Sequence, residues 1–252
     1  MTIDPKRIEE ISMNAWPALQ QVLYDGWVLR LSKGYTKRAN SVNPLYPSTL
    51  DLAQKVVFCE KFYRDRSLRP VFRPTPFSSP SELDQYLEQR GYQVRDQTSV
   101  MVLDLETLGV QTHRDINILN TDLDEWIEIF YRVSHASLTE REVHKEILAA
   151  ISTQRYLVAL TSAGAYAACG LGVFEGEYVG LFDIVTETEM RRRGFATHLV
   201  MGILRWAQEQ GARYAYLQVA VQNTAGRMLY EKIGFKEHYR YWYRVPIAEI
   251  PE

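Results

Sequence analysis

The chain is poor in cysteine, in long apolar runs and in net charge, and each shortage excludes something. Its two cysteines, Cys59 and Cys169, lie far apart with neither metal-ligand nor disulfide-framework spacing, so buried thiols in a reducing compartment are expected rather than a stapled secreted scaffold. No apolar run approaches the roughly 20 residues that span a bilayer. The opening stretch MTIDPKRIEEISMNAW is charged and lacks the apolar segment of a signal peptide. The expectation is therefore a cytoplasmic protein with no membrane partner. A net charge of −2 supplies no bulk field for nucleic acid or an anionic lipid surface, so any positive site must be local. His113, His135, His144, His198 and His238 show no ligand spacing, and no metal is expected.

What is present is core material: 46% of the 252 residues are apolar, enough for one large or two small domains. From about Gln111 the pattern alternates clearly. A strand is expected at THRDINILN, then helices at TDLDEWIEIFYRVSHAS and, capped by a threonine, at TEREVHKEILAAI. Three glycine-punctuated strands follow, RYLVALTSAG, AYAACGLGVFEG and YVGLFDIVT. GFATHLVMGILRWAQEQG carries Leu199, Ile203, Leu204 and Trp206 or Ala207 as one helical stripe and stops at Gly211. A strand YAYLQVAV, a helix NTAGRMLYEKIG and a terminal strand FKEHYRYWYRV complete the pattern, the last alternating Tyr239, Tyr241 and Tyr243 against Arg240, Trp242 and Arg244.

The first half is less regular. Helices are expected near Pro5–Gln20, Leu50–Arg66 and Ser81–Arg90, with strands near Gly26–Leu31, Ala39–Val42, Val71 and Tyr92–Leu105. ELDQYLEQRGYQV echoes GRMLYEKIGFKEH: superposing Gly91 on Gly234 aligns Glu88 with Glu231 and Tyr92 with Phe235. The echo points to a tandem duplication.

The chemistry concentrates at EMRRRGFATHL. A strand ending near Val185 and a helix starting at about Phe195 leave unpaired backbone N–H groups at the helix start, which behaves like roughly half a positive charge. Gly194 admits a close ligand or a positive φ, Ala196 leaves the first turn unobstructed, and Arg191, Arg192 and Arg193 add forked donors. Together they form an anion seat of phosphate size.

The pattern Arg191-x-x-Gly194-x-Ala196 resembles the acetyl-CoA loop of the GNAT acetyltransferase family. The resemblance continues through Asn223, Gly226, Leu229, Tyr230 and EKIGF, and covers roughly Gln111–Val245. It implies an α+β or α/β fold with a mixed, mostly antiparallel central sheet flanked by helices, built here from two tandem GNAT-like halves. Residues 1–108 would be a degenerate N-terminal domain and 111–252 the acetyl-CoA-binding catalytic domain. It implies that the backbone of Ile184, Val185 and Thr186 pairs with the pantetheine arm. The amides from Arg191 or Arg192 through Gly194, Phe195, Ala196 and Thr197 would hold the pyrophosphate, with Arg193 in the same loop. Asn223 would contact the cofactor arm, although it also suits an ordinary N-cap. Tyr230 would lie near the sulfur and protonate the departing thiolate.

An amine acceptor with a pKa of about 10.4 is less than ~0.1% neutral at pH 7, so a carboxylate would help; Asp183, Glu175 and Glu177 are the candidates, with Asp183 expected on the face away from the cofactor. In the first half, NPLYPST replaces the phosphate loop and Leu87 stands in Tyr230's place, so one cofactor per chain is expected. GYTKRANSV, with Tyr35, Lys37, Arg38 and Asn40, is expected to line the acceptor pocket between the halves, or else to be a plain hairpin.

The leading reading is an N-acetyltransferase that moves acetyl from acetyl-CoA to a primary amine in a ternary complex, as a monomer or homodimer. Two alternatives stand beside it, a non-catalytic acyl-CoA-binding module and a relative that uses aminoacyl-tRNA. The acidic balance disfavours the second.

Overall fold

Asp4 and Pro5 start the first element. The Asp4 carboxylate accepts from the Lys6 amide, and proline occupies the first helical turn of α1 (Pro5–Ala15), where its missing N–H costs nothing. The computed structural model describes residues 3–108 and 118–247. Helix α1 ends at Ala15, short of the expected Gln20, because Pro17 disfavours helical backbone at Trp16. Gln20 instead opens β1 (Gln20–Tyr24), which pairs with β2 (Trp27–Leu31); β2 pairs in turn with β3 (Val42–Asn43). Helices α2 (Leu52–Arg64) and α3 (Leu83–Gln89) cover this small sheet, and Trp27, Leu29, Val56, Cys59, Tyr63, Phe72, Leu83 and Leu87 form its core.

Strand β4 (Tyr92–Asp104) then enters a larger sheet. The rest of that sheet comes from β5 (Ile118–Asn120), β6 (Gln154–Ser162), β7 (Ala165–Glu175), β8 (Tyr178–Thr186), β9 (Tyr214–Ala220) and β10 (Lys236–Pro246). The interspersed helices are α4 (Leu123–Ser134), α5 (Arg141–Ala149), α6 (Phe195–Glu209) and α7 (Thr224–Ile233). The order is β10-β4-β9-β8-β7-β6-β5. Every neighbouring pair is antiparallel except β8 with β9. Of the expected strand THRDINILN, residues 112–117 lie outside the described residues, and 118–120 form β5.

Side chains alternate across this sheet with period two. Leu157, Ala159, Leu171 and Phe182 face α1, α4 and α5, whereas Val158, Leu160, Ala168 and Leu181 face α6. Helix α6 buries Leu199, Ile203, Leu204 and Ala207 as expected. Three buried Leu and Ile side chains at roughly 1.5–3 kcal/mol each, with Ala207 beside them, make that face a main source of its helicity.

Several local expectations are corrected. The Ala39–Val42 segment is a 3-10 turn at Lys37–Ala39, closed by the Thr36 hydroxyl accepting from the Ala39 amide, and strand begins only at Val42. Thr139 does not cap α5; it sits in a 3-10 turn, Leu138–Glu140, whose own cap is Ser137. The alternation in β10 breaks at Arg244, which is buried where Asp84 pairs with it at 2.7 Å and Tyr92 O accepts from its Nη1 at 3.1 Å.

The echoing helices α3 and α7 both end in a glycine of positive φ, Gly91 at +85° and Gly234 at +119°. The chain boundary expected near 108–111 is not a boundary of the sheet. β4 pairs with β9 from Thr98 to Asp104 and with β10 from Tyr92 to Val102. Phe72 stitches β3 to β10, donating to Arg244 O at 3.0 Å and accepting from Arg244 N at 2.8 Å.

Candidate functional site

Strands β8 and β9 run side by side only from Tyr178 to Leu181, opposite Tyr214 to Leu217. Beyond that they part. The cause lies in β8: its register against β7 jumps from Phe182 opposite Leu171 to Val185 opposite Cys169, with Asp183 at φ +50°. That inserted residue is a β-bulge, which bends the strand. From Thr98 onward β4 pairs with the far edge of β9. The backbone of residues 182–186 therefore borders an open wedge on its β9 side.

After Thr186 the chain turns through Thr188–Met190. The Glu187 carboxylate fixes this turn by accepting from the Thr188 amide at 2.6 Å and bonding His135 Nε2 at 2.8 Å. Arg191 Nε donates to Thr186 O at 3.3 Å. Arg192 and Gly194 take positive φ, +59° and +87°, and α6 starts at Phe195 with no side-chain cap. Helices α1, α2, α4 and α7 are each capped by Asp or Asn. The first-turn amides of α6 thus have neither an intrahelical acceptor nor a capping side chain, which is the donor set an anion needs.

These elements enclose a groove of about 760 Å³. Ile184, Val185, Thr186, Arg191, Arg192, Gly194, Phe195, Ala196, Thr197 and Asn223 all line it. Arg193 lies beside it, its guanidinium 5.5 Å from the Phe195 ring centre and its Nη1 3.0 Å from Met190 Sδ. Asn223 caps α7, accepting from the Gly226 amide at 3.0 Å, and lines the groove as well. Tyr230 is not among the lining residues. It is 9% exposed, packs edge-on against Phe235, and follows Leu229, which does line the groove. Burial pushes its phenol up to about 12, so the hydroxyl keeps its proton at neutral pH.

A second cavity, of about 640 Å³, is also bordered by β8 at Asp183, next to Ile184 of the first groove. Trp16, Tyr35, Lys37, Arg38, Gln218, Tyr241 and Tyr243 are among its walls, so the GYTKRANSV segment borders a cavity, as a turn rather than a strand. Two buried anchors shape that turn. Asn40 accepts from the amides of Ser32 at 2.6 Å and Gly34 at 3.0 Å. Arg30 donates to the carbonyl of Arg38 at 2.7 Å and to that of Trp16. Arg30 gains no carboxylate partner among the described residues, and burial lowers it to about 10.

Of the three carboxylates considered from sequence, only Asp183 reaches this cavity. Glu175 is taken by Arg7 at 3.0 Å and by Asn14. Glu177 is exposed at the far end of β8, roughly 20 Å from Asp183 at about 3.3 Å per strand residue. Asp183 Oδ2 lies 2.9 Å from Nε2 of His144, a fully buried residue of α5. That imidazole is ringed by Phe130, Trp16 and Tyr35 at 4.9, 5.5 and 5.5 Å, and its Nδ1 is buried without a partner among the described residues. An acceptor carboxylate opposite Nε2 selects the tautomer with its proton there.

Tyr241 donates to Gln218 Oε1 at 3.0 Å, and the Arg73 guanidinium lies 3.6 Å from its ring centre. Burial opposes ionisation of this phenol, but the charges of Arg38 and Arg73 outweigh it and hold the group below its usual value. The pairing of His144 with Asp183, and the parts played by Trp16, Gln218 and Tyr241, were not anticipated from sequence.

A model of the family described as "Probable histone acetyltransferase Rv0428c C-terminal" matches residues 2–244. The uncharacterized N-acetyltransferase YobR of Bacillus subtilis (strain 168) is 28% identical over 247 residues, which is 96% of this chain and 98% of that protein. A GCN5-related N-acetyltransferase from Kribbella flavida superposes with a TM-score of 0.73 at 14% identity, covering 96% of this chain and 95% of its own. A tandem GNAT protein from the clavulanic acid biosynthesis pathway superposes with a TM-score of 0.66 at 12% identity, covering 100% of this chain and 90% of its own. The two superpositions establish the fold, including its fit to a two-half architecture.

Proposed function

Because this chain belongs to the Rv0428c C-terminal acetyltransferase family, within the GNAT N-acetyltransferases, we propose that it transfers acetyl from acetyl-CoA to a primary amine by direct attack in a ternary complex. One observation carries the reading: the open wedge of β8 separates an uncapped helix start on one side from an aromatic, charged cavity on the other. The donor-side residues fit the diphosphate and arm of coenzyme A. The orphan amides at Phe195, Ala196 and Thr197, with Arg191 and Arg192 nearby, suit the diphosphate. The free edge of Ile184, Val185 and Thr186 suits a strand-like amide arm. Asn223 is assigned to the same arm.

The donor supplies an activated acyl group; the chain supplies position and proton traffic. Asp183, held by His144, takes the amine proton as the new N–C bond forms. Tyr230, one residue beyond the groove-lining Leu229, is assigned to give its proton to sulfur as the C–S bond breaks; solvent then returns one proton to the phenol and takes one from Asp183. The balance is one proton moved from amine to thiol. In this scheme residues 111–252 bind the donor, and residues 1–108 shape the acceptor cavity without a second phosphate seat. One acetyl-CoA per chain follows, and calorimetry giving two sites would contradict it.

The test is release of free thiol from acetyl-CoA across a broad amine panel, with calorimetry of acetyl-CoA alone. Turnover with any amine supports the proposal. Tight binding with no turnover would favour a non-catalytic acyl-CoA-binding module, and absence of binding would overturn the donor assignment.

A further inference from the structure

The ion pairs around the second cavity leave an uneven remainder. Lys37 is matched with Asp96 at 2.8 Å, and Arg73, behind Tyr241, is matched with Glu9. Arg38 and Arg69 line the cavity and form no ion pair with a carboxylate among the described residues. The Arg38 guanidinium rests 5.8 Å from the Trp16 ring centre and 5.9 Å from that of Phe182, and its Nε is buried without a hydrogen-bond partner. On the negative side only Asp183 remains; its known partner is His144, whose charge depends on protonation. The cavity therefore offers two guanidinium groups and one carboxylate, with Arg38 on the turn that Arg30 and Asn40 anchor.

We infer that the acceptor is a compact amine that also carries an anionic group, with the amine at Asp183 and the anion at Arg38 and Arg69. Guanidinium groups bind carboxylate and phosphate in forked geometry. A lysine-rich tail would bring several cations against Arg38 and Arg69, and like charges brought together disfavour such a partner. A free amino acid or a phosphorylated amine has the required charges at the required scale for about 640 Å³. The inference rests on the acetyl-transfer reading for the word acceptor, but the charge pattern stands without it.

The experiment compares L-lysine, L-glutamine, L-methionine and L-phenylalanine with their amides and decarboxylated amines, alongside O-phosphoethanolamine and a lysine-rich peptide. Each is measured for acetyl-CoA-dependent thiol release and, separately, for binding by ligand-observed NMR with coenzyme A present. One charge-assisted contact is worth about ten- to a hundredfold. The best anionic amine should therefore exceed its counterpart lacking the anion by that factor in kcat/KM, chiefly through KM. Arg38→Gln should bring the ratio towards one, and Arg69→Gln, at an exposed position, should reduce it. The amino acid and phosphoethanolamine arms tell carboxylate from phosphate.

Arg38-dependent binding of the anionic amines without turnover would uphold this inference and sink acetyl transfer. Turnover blind to the anionic group, or preference for the lysine-rich peptide, would sink the inference and leave acetyl transfer standing. Neither binding nor turnover across the panel would overturn both.

Discussion

Replacing Gly194 by aspartate should separate stability from donor binding. A Cβ at this position meets only the His198 ring, at 3.5 Å, which is ordinary contact. Its φ of +87° costs a non-glycine residue about 1–2 kcal/mol. A carboxylate at the start of α6 returns about 0.3–1 kcal/mol by meeting the unpaired amides and the helix dipole. The net loss is about 1 kcal/mol, a fall of roughly 2–4 °C in Tm for a chain of this size.

The donor should feel far more. A unit charge about 5 Å from a phosphate, at an effective dielectric near 20, is repelled by roughly 3 kcal/mol, and tenfold in Kd corresponds to about 1.4 kcal/mol. Acetyl-CoA should therefore bind at least about a hundredfold more weakly, by titration calorimetry at low salt. Acetyl-pantetheine, which lacks the diphosphate, should change by no more than about twofold. A folded Gly194→Asp protein that binds acetyl-CoA within about threefold of the parent would remove the diphosphate from this corner altogether.

Tyr230→Phe should lower kcat by about a hundredfold or more while acetyl-CoA affinity holds, as expected for loss of a general acid; an unchanged kcat would strip the phenol of that role. Glu9→Gln should destabilise the fold by about 3–5 kcal/mol in chemical denaturation, because it strands the buried Arg73 charge and disturbs the hydroxyl of Tyr239 2.6 Å from Glu9. Asp84 should contribute to acid sensitivity: burial raises its pKa, but hydrogen bonds from Arg244 and Trp242 outweigh this and hold it below the usual carboxylate value. That stabilisation is complete above the unfolded value of about 3.9 and fades as pH falls towards the lowered folded value. Asp84→Asn should accordingly flatten the stability profile below about pH 4, and an identical acid limb in both proteins would contradict the assignment.

The donor groove was legible because its determinants are local. Gly194 against Phe195 marks a helix start within one turn, Asn223 marks the next, and the stripe from Leu199 to Ala207 repeats at helical spacing. Of the second cavity only the GYTKRANSV segment was legible, because its other groups meet only through the fold. His144 and Asp183 come from a helix and a strand, and Gln218 meets Tyr241 only because β4 carries β9 and β10 into one sheet. Propensity also misled at Lys37–Ala39, where tertiary anchors impose a tight turn on a stretch that reads as a strand. Trp16 and Pro17 were visible as letters, yet the stop they impose on α1 puts an indole into the cavity wall.

The placement of β4 has a genetic consequence. Severing the gene near codon 110 would take away the middle plank between β9 and β10, baring two rows of backbone amides and carbonyls at the heart of the larger fragment. The larger fragment would then lack an unbroken sheet, so shuffling the first segment among relatives to swap substrate preference must carry residues 92–104 along with it.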